Sequence, residues 1–229
     1  MTHQDQLKRA AADKAVEFVE SGMVVGLGTG STAAFAVDLI ADRLDRGDLK
    51  DIIGIPSSLR TEMQARDRKI PLAGFDTHNE IDVTIDGADE VDPALNLIKG
   101  GGGALLREKV LAQATQRNII IVDESKLVPK LGTGWALPIE VIPFARGSAA
   151  RFIESLGASV TLRRTEEGTE FFTDQKNIIL DADFGPIADA AFVAARLNER
   201  AGIVEHGLFL GLAADVVIAG ADGVRHLHR

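Results

Sequence analysis

The chain lacks cysteine, and this absence excludes two kinds of stabilisation. Without cysteine there is neither a disulfide framework nor a thiolate zinc site. Positive charge is also in deficit, since 25 Lys and Arg residues face 34 Asp and Glu residues for a formal net charge of -9. The field of the whole molecule therefore repels polyanions, which argues against binding of nucleic acid or of an anionic membrane. A small phosphorylated ligand remains compatible, because a few lysines can dominate the local charge.

Long apolar runs are missing as well. No window approaches the roughly 20 apolar residues of a membrane span, and residues 1–10 are polar, without the apolar segment of a signal peptide. The five histidines do not have metal-binding spacing, so no metal site is expected. With 45% hydrophobic residues the chain can form a real core. We expect a soluble, cytoplasmic protein.

Short apolar segments alternate with helical patterns in the first half of the chain. Strands that are apolar throughout and alternate with helices are typical of a parallel sheet covered by helices on both faces. The fold class predicted for this half is α/β. The predicted helices are 4–19, 31–44, 59–68 and 104–115, and the predicted strands are 23–28, 51–55, 81–85 and 118–122.

The pattern changes after Lys126. Strands are predicted at 136–142 and 160–164, helices at 148–156 and 187–199, and a hairpin at 170–183 that turns at 174–177. This β-α-β-β-α order is typical of a small α+β domain of the ferredoxin-like kind. The segment 203–220 returns to apolar strand character and is predicted to rejoin the first sheet. We therefore expect one domain over 1–130 and 204–229 and a small domain over 131–203.

A glycine-rich segment, 26–32, lies at a predicted strand-to-helix junction. Glycines allow a ligand to approach the backbone, and free amides at a helix start favour an anion. The hydroxyl groups of Ser31 and Thr32 can donate to a ligand or cap the helix. The spacing misses the third glycine of the dinucleotide fingerprint, because Ser31 occupies that position. The segment predicts a phosphate site or a capped turn.

Two aspartates follow the predicted strand 81–85. Asp86 ends this strand, at the edge where ligands of open α/β sheets bind, and Asp89 follows after Gly87 and Ala88. Two nearby carboxylates can share a proton, hold magnesium or cap the next turn. For Asp86 we favour a functional role.

Four consecutive glycines, 100–103, follow Lys99 and lead into the predicted helix 104–115. Each glycine loses more conformational freedom on folding than other residues do, so such a run is hard to justify as a mere connection. On the helix, Glu108 shares the apolar stripe of Leu105 and Leu111. Partial desolvation would raise the pKa of this carboxyl, as a general base requires. A buried Glu108 paired with Lys99 or with a backbone amide is the alternative.

A fourth segment, 121–126, is a strand end that runs into polar residues. Lys126 at its end could place an ammonium at the carboxyl edge of the sheet, although most lysines are solvated surface residues. No Ser-His-Asp arrangement is present among the histidines and acids.

In order and spacing, these motifs resemble ribose-5-phosphate isomerase, type A. The resemblance covers about residues 7–224, nearly the full chain, and the set of motifs in register is highly specific. Gly103 departs from the pattern, in which a small alanine is common at this position. The matching segments are 28–32, 56–58, 86–89, 99–102, 107–109, 123–126, 140–143 and 207–209.

The resemblance implies an enzyme that interconverts ribose 5-phosphate and ribulose 5-phosphate in the pentose phosphate pathway. It implies a Rossmann-like domain with a smaller α+β domain, a homodimer or homotetramer, and no metal or organic cofactor. The implied catalytic residues are Glu108 as proton acceptor, Asp86, Asp89 and Lys99. Lys8 resembles a phosphate-contacting lysine only loosely. The implied substrate-binding residues are Thr29, Gly30, Ser31, Thr32, Asp86, Gly87, Ala88, Asp89, Lys99, Gly100, Gly101, Gly102 and Lys126.

Three other functions agree with part of the sequence. A non-enzymatic sugar-phosphate sensor domain is the main alternative, but no helix-turn-helix precedes the domain. A nicotinamide-dependent dehydrogenase is disfavoured by the missing third glycine. A magnesium phosphotransferase could use the acidic cluster at 82–92, but no nucleotide loop accompanies it.

Overall fold

The structure is a computed structural model and describes residues 2–229. Its backbone contacts divide the chain into two compact units. The first unit holds the segment up to Ala88 together with Arg107–Lys126 and Gly211–Arg229, and the second holds Asp89–Leu106 and Leu127–Leu210. Compact units are not the same as independently folding domains, so the predicted division at 130/131 and 203/204 stays a prediction.

Six α-helices and thirteen strands are present among the described residues. The helices are α1 (His3–Val16), α2 (Ser31–Arg46), α3 (Leu59–Asp67), α4 (Leu105–Ala114), α5 (Arg146–Ser155) and α6 (Ala190–Asn198). The strands are β1 (Val24–Leu27), β2 (Ile53–Pro56), β3 (Ile81–Asp86), β4 (Glu90–Val91), β5 (Leu97–Ile98), β6 (Thr115–Asp123), β7 (Leu137–Val141), β8 (Ser159–Leu162), β9 (Ile178–Asp183), β10 (Ile203–His206), β11 (Leu208–Phe209), β12 (Asp215–Gly220) and β13 (Gly223–His228).

The first unit is built on a six-stranded sheet in the order β13-β12-β6-β3-β1-β2. All pairs are parallel except β12 with β13, which confirms the predicted α/β class. Since β2 and β3 flank β1 on opposite sides, the strand order reverses beside β1, and ligands of such sheets bind at this point. The carboxyl ends of β1 and β3 are therefore the expected place for a site.

Helix α1 shows how the sequence forms and places its elements. Thr2 and Asp5 form a capping box, in which the Asp5 amide donates to Thr2 Oγ1 at 3.1 Å and the Thr2 amide donates to the Asp5 carboxylate at 2.9 Å. Ala11 and Ala15, on the apolar stripe of the helix, are completely buried in the core of this unit. The helix ends at Val16, three residues before the predicted end.

The tail of the chain was only partly predicted. Strand β12 pairs with β6 in parallel, so the segment 215–220 does rejoin the first sheet, whereas β10 and β11 belong to other sheets. Strand β13 was not predicted, because all of its residues are exposed and its sequence has no apolar face. It forms a hairpin with β12 around residues 220–223.

The second unit contains a four-stranded antiparallel sheet in the order β10-β7-β9-β8. With α5 between β7 and β8 and α6 between β9 and β10, this is the predicted ferredoxin-like arrangement. The predicted hairpin 170–183 is only half formed. Residues 170–172 make isolated bridges to Arg164 and Ile178, while Thr173 donates its amide to the Asn177 carbonyl at 2.8 Å across the turn.

A small three-stranded sheet, β11-β5-β4, also belongs to the second unit. Its strands have two residues each, too few to show a periodic pattern in the sequence. Among residues 2–229, none of the helices combines the length and apolarity needed to cross a membrane.

Candidate active site

The end of β1 lies against the end of β3 through two hydrogen bonds that backbone amides donate. The Gly28 amide donates to the Ile85 carbonyl at 3.0 Å, and the Thr29 amide donates to Asp86 Oδ1 at 3.1 Å. A Cβ atom at Gly28 would lie 2.4 Å from Asp86 Oδ1 and 2.5 Å from the Ile85 carbonyl oxygen. Only glycine permits this approach, which explains the glycine at the start of the segment 28–32.

A cluster of hydroxyl groups supports the loop at Thr29. Thr29 Oγ1 lies 2.7 Å from Ser57 Oγ, 2.8 Å from Ser58 Oγ and 3.1 Å from Thr61 Oγ1. Ser57 donates to the Leu27 carbonyl and Thr61 to the Gly28 carbonyl, both at 2.9 Å, so the cluster is tied to the backbone of the loop. The segment 56–58 belongs to the family resemblance, but the sequence alone does not predict that it supports this loop.

Helix α2 begins directly after Gly30 and offers its first amides at the carboxyl edge of the sheet. Gly30 has φ 115° and no side-chain cap, while Ser31 is exposed and Thr32 is half-buried. Lys8 Nζ on α1 donates to Ser31 Oγ at 3.0 Å. A helix start, two hydroxyl groups and an ammonium therefore lie together, which is a favourable arrangement for an anion.

Asp86 is the buried carboxylate of this edge. It is 2% exposed, and its Oδ1 accepts the Gly87 amide at 2.7 Å in addition to that of Thr29. Gly87 and Ala88, which follow, are half-buried. The structure thus brings Asp86 and the loop 28–32 together as the sequence predicted.

Glu108 lies on the first turn of α4 with its side chain 5% exposed. The prediction of an inward-facing carboxylate on this helix is therefore confirmed, and Leu105 and Leu111 of the same stripe are also buried. Lys109 is likewise 5% exposed. Glu108 is thus shielded from bulk water, as a base that must keep the abstracted proton requires.

Lys126 ends a short 3-10 turn after β6 and is half-buried. The turn is fixed by the buried Asp123, whose Oδ1 accepts the Ser125 amide at 3.0 Å and the Ser125 hydroxyl. Lys126 therefore follows the carboxyl edge of the sheet, as its position in the sequence indicated.

The second unit carries the remaining predicted residues, Asp89 and the glycine loop (residues 99–103). Asp89 Oδ2 accepts the Gly101 amide at 2.7 Å, so the aspartate and the loop are in direct contact. A Cβ atom at Gly101 would lie 2.6 Å from Asp89 Oδ1 and 2.9 Å from the Trp135 ring. No side chain fits at position 101, so glycine is required there.

Lys99 precedes these glycines and is 3% exposed. Its amide donates to the Gly207 carbonyl at 2.9 Å, and its Nζ lies 5.5 Å from the ring centroid of the buried Phe209. Such a contact stabilises an ammonium away from bulk water. The motif 207–209 thus contacts both the backbone and the side chain of Lys99, a role that the sequence alone does not predict.

Backbone conformation explains the ends of the glycine loop. Gly100 has φ 100° and Gly103 has φ 81°, a region that favours glycine. At Gly103 a Cβ atom would also lie 2.4 Å from the Phe171 ring. The departure of Gly103 from the alanine common in the family thus has a local cause. Gly102 is exposed.

Among residues 2–229, no group of three or more His, Asp or Glu side chains has a geometry suitable for holding a metal ion. Asp86 and Asp89 each accept a backbone amide.

Comparison with known proteins gives a consistent result. The family model of ribose 5-phosphate isomerase A (phosphoriboisomerase A) matches residues 53–223. Ribose-5-phosphate isomerase A of Desulfatibacillum aliphaticivorans is 66% identical over 227 residues, which cover 99% of both chains.

Two solved structures are similar over nearly their full length. A D-ribose-5-phosphate isomerase in complex with phospho-erythronic acid has a TM-score of 0.97 and 40% identity, covering 100% of both chains. Ribose 5-phosphate isomerase from Plasmodium falciparum has a TM-score of 0.95 and 42% identity, covering 98% of this chain and 99% of that one. The motifs, the fold and these similarities agree, and the chain belongs to the ribose 5-phosphate isomerase A family.

Proposed function

We infer that the chain catalyses the interconversion of D-ribose 5-phosphate and D-ribulose 5-phosphate, as an isomerase of the pentose phosphate pathway. The observation that carries this inference is the buried Glu108, which lies on the helix that follows the glycine loop in a chain of this family. The sensor alternative is not favoured, because the similar proteins bear the name of an isomerase.

The segment 29–32 binds the 5-phosphate in this proposal. The start of α2 supplies amides, Ser31 and Thr32 supply hydroxyl groups, and Lys126 adds a positive charge. Lys8, whose ammonium is 3.0 Å from Ser31 Oγ, supports the same site. Binding the phosphate provides energy remote from the reacting carbons, which can be used to orient them.

Glu108 acts as the base. It removes the proton from C2 of the open-chain aldose, the electrons of that C–H bond form the C1–C2 double bond, and O1 becomes an enediolate oxygen. Glu108 then returns the proton to C1, so no other reactant is consumed. Burial supports this role because it shields the base, and the proton that it carries, from bulk water.

Asp86 or Asp89 moves the remaining proton between O2 and O1. Lys99 and amides of the glycine loop stabilise the negative oxygen. The Gly101 amide already donates to Asp89 and the Gly103 amide donates to the Gly100 carbonyl, so we assign this task to the amides of Gly100 and Gly102. A relative was solved with phospho-erythronic acid, whose carboxylate is planar and negative like an enediolate, which supports a reaction through an enediolate.

The test is a coupled ribulose 5-phosphate assay on Glu108→Gln, which keeps the shape of the side chain and removes the base. We expect kcat to fall by about 100-fold or more, the range typical of a lost general base. The matched control is Glu140→Gln, since Glu140 is equally buried, at 0% exposure, and has no part in the proposed chemistry. Parental activity in Glu108→Gln would show that Glu108 is not the base.

The remaining properties proposed here follow from the family. The protein acts in the cytoplasm as a homodimer or homotetramer, and it uses no metal or organic cofactor. Sedimentation velocity tests the assembly. Activity that is unchanged after dialysis against EDTA tests the independence from metal.

A further inference from the structure

Arg163, which directly follows β8, contacts the glycine loop from the side opposite its amides. Its Nη1 donates to the Gly100 carbonyl at 2.8 Å and to the Gly101 carbonyl at 3.0 Å. These two peptide oxygens belong to the loop that carries Lys99 and contacts Asp89. Arg163 therefore fixes the orientation of two consecutive peptide groups.

A second residue fixes Arg163 itself. Its Nε donates to Asp181 Oδ2 at 2.9 Å and its Nη2 pairs with Asp181 Oδ1, so the carboxylate on β9 holds the guanidinium along one edge. The two side chains are largely buried, at 13% and 24% exposure. Bidentate pairing of this kind adds geometric specificity.

Phe171 completes the arrangement. Its ring lies 6.0 Å from the Arg163 guanidinium and borders Gly103, and its amide donates to the Arg163 carbonyl at 3.1 Å. The guanidinium and the ring together contact the backbone at both ends of the glycine run.

We propose that Arg163, oriented by Asp181, is a positioning residue that holds the glycine loop in its working conformation. Glycine-rich backbone has the largest conformational freedom of any segment, so a loop of this composition needs external contacts to stay ordered. When carbonyl oxygens are held on one side, the amides of the same peptide groups are held on the other, because the peptide unit is planar. The two peptide groups held in this way carry the amides of Gly101, which donates to Asp89, and of Gly102. This inference rests on the proposed function, in which the Gly102 amide and Lys99 stabilise the enediolate.

The guanidinium is suited to this task in a way that an ammonium is not. It has five N–H groups in a rigid plane, which here serve two carbonyls and a carboxylate together. Arg163→Lys keeps the charge but has one nitrogen to reach the same acceptors. We therefore expect it to restore the loop only in part.

The experiment compares Arg163→Gln, Arg163→Lys and Asp181→Asn with Arg146→Gln in the coupled isomerase assay. Arg146 is a matched control, because it pairs with Glu170 at 2.8 Å in the same unit but has no contact with the glycine loop. We expect kcat to fall by about 10- to 100-fold in Arg163→Gln with KM within about twofold, since misplacing groups that act only in the transition state lowers kcat. Arg163→Lys and Asp181→Asn should lie between this variant and the parent.

Hydrogen exchange measured by mass spectrometry on the peptide that covers 99–106 provides a readout independent of activity. Exchange should be about 10-fold faster in Arg163→Gln than in the parent and unchanged in Arg146→Gln, since a released loop opens more often. Parental kcat with parental exchange in a folded Arg163→Gln would overturn the proposal. A fall in kcat that is fully explained by a smaller folded fraction of the variant would also overturn the proposal.

Failure of the proposed function gives a different result. If the parental protein does not isomerise ribose 5-phosphate, the proposed function fails, whereas the exchange comparison still decides whether Arg163 orders the loop. If the parent is active and all three variants keep its kcat, only the positioning role fails.

Discussion

Replacing Gly28 by alanine tests how closely β1 must approach β3. The added Cβ would lie 2.4 Å from Asp86 Oδ1, which is 1.0 Å short of the 3.4 Å at which ordinary contact begins. It would also lie 2.5 Å from the Ile85 carbonyl oxygen, a backbone atom that cannot rotate away. The collision must therefore separate the two strand ends and displace the Asp86 carboxylate.

The expected loss of stability has two parts. Overpacking in a close-packed region costs about 1–3 kcal/mol, and each of the hydrogen bonds from the Gly28 and Thr29 amides contributes about 0.5–1.5 kcal/mol, giving about 2–6 kcal/mol together. A displacement of Asp86 by about 1 Å is enough to lower kcat by about 100-fold if this carboxylate takes part in proton transfer.

Urea denaturation and the coupled isomerase assay, with rates corrected for the folded fraction, measure the two effects. Gly74→Ala is the control, because a Cβ at Gly74 meets no atom within 4 Å and its φ is not positive. This variant should keep parental activity and stability within about 1 kcal/mol. If Gly28→Ala behaves like Gly74→Ala in both measurements, the close approach of the two strands has no importance for folding or catalysis.

Two further predictions concern pH. Hydrogen bonds from Arg117, at 2.7 and 3.0 Å, and then from His226 lower the pKa of the buried Asp215. The ionised Asp215 therefore stabilises the folded state fully above the unfolded pKa of about 3.9, and this stabilisation is lost as pH falls through the folded pKa. The free energy of unfolding of Asp215→Asn should therefore be about 1–3 kcal/mol lower than that of the parent at pH 7. The difference in Tm between the two proteins should shrink below about pH 5, and a difference that stays constant would contradict this linkage. Burial raises the pKa of Glu140 despite hydrogen bonds from Asn177 and Thr173. The Glu140 carboxyl group therefore favours the folded state most below its unfolded pKa of about 4.3, and this contribution is lost as pH rises through the folded pKa. The Tm of the parent minus that of Glu140→Gln should accordingly grow as pH is lowered from 8 towards 5, and a difference that is flat over this range would refute the assignment.

Sequence patterns predicted the parts of the molecule in which local residues decide the structure. The apolar strand 81–85 followed by Asp86 indicated a carboxylate at the edge of a parallel sheet, and the stripe on 104–115 placed Glu108 inward. Both follow from periodicity and burial alone. The β-α-β-β-α order likewise predicted the ferredoxin-like arrangement of the second unit, although its last strand, β10, was assigned to the first sheet.

Contacts between distant segments could not be predicted in this way. Arg163 contacts Gly100 across 63 positions, and Thr61 contacts Gly28 across 33. A polar residue in one segment gives no sign of which backbone carbonyl it meets in another. Strand β13 escaped prediction for a different reason, since a strand exposed on both faces needs no alternation of apolar and polar residues.

The pairing of β6 with β12 has a consequence during synthesis. The two strands are adjacent in the sheet, but 92 positions separate Asp123 from Asp215. At about 5–20 residues per second, a ribosome needs about 5–18 s to produce this interval. Throughout that time the growing chain carries an apolar strand with one open edge, the form of surface that attracts other strands. Most of the residues synthesised in this interval belong to the second unit. The order of synthesis therefore leaves the nascent first unit exposed to aggregation and to chaperones until its last strands emerge.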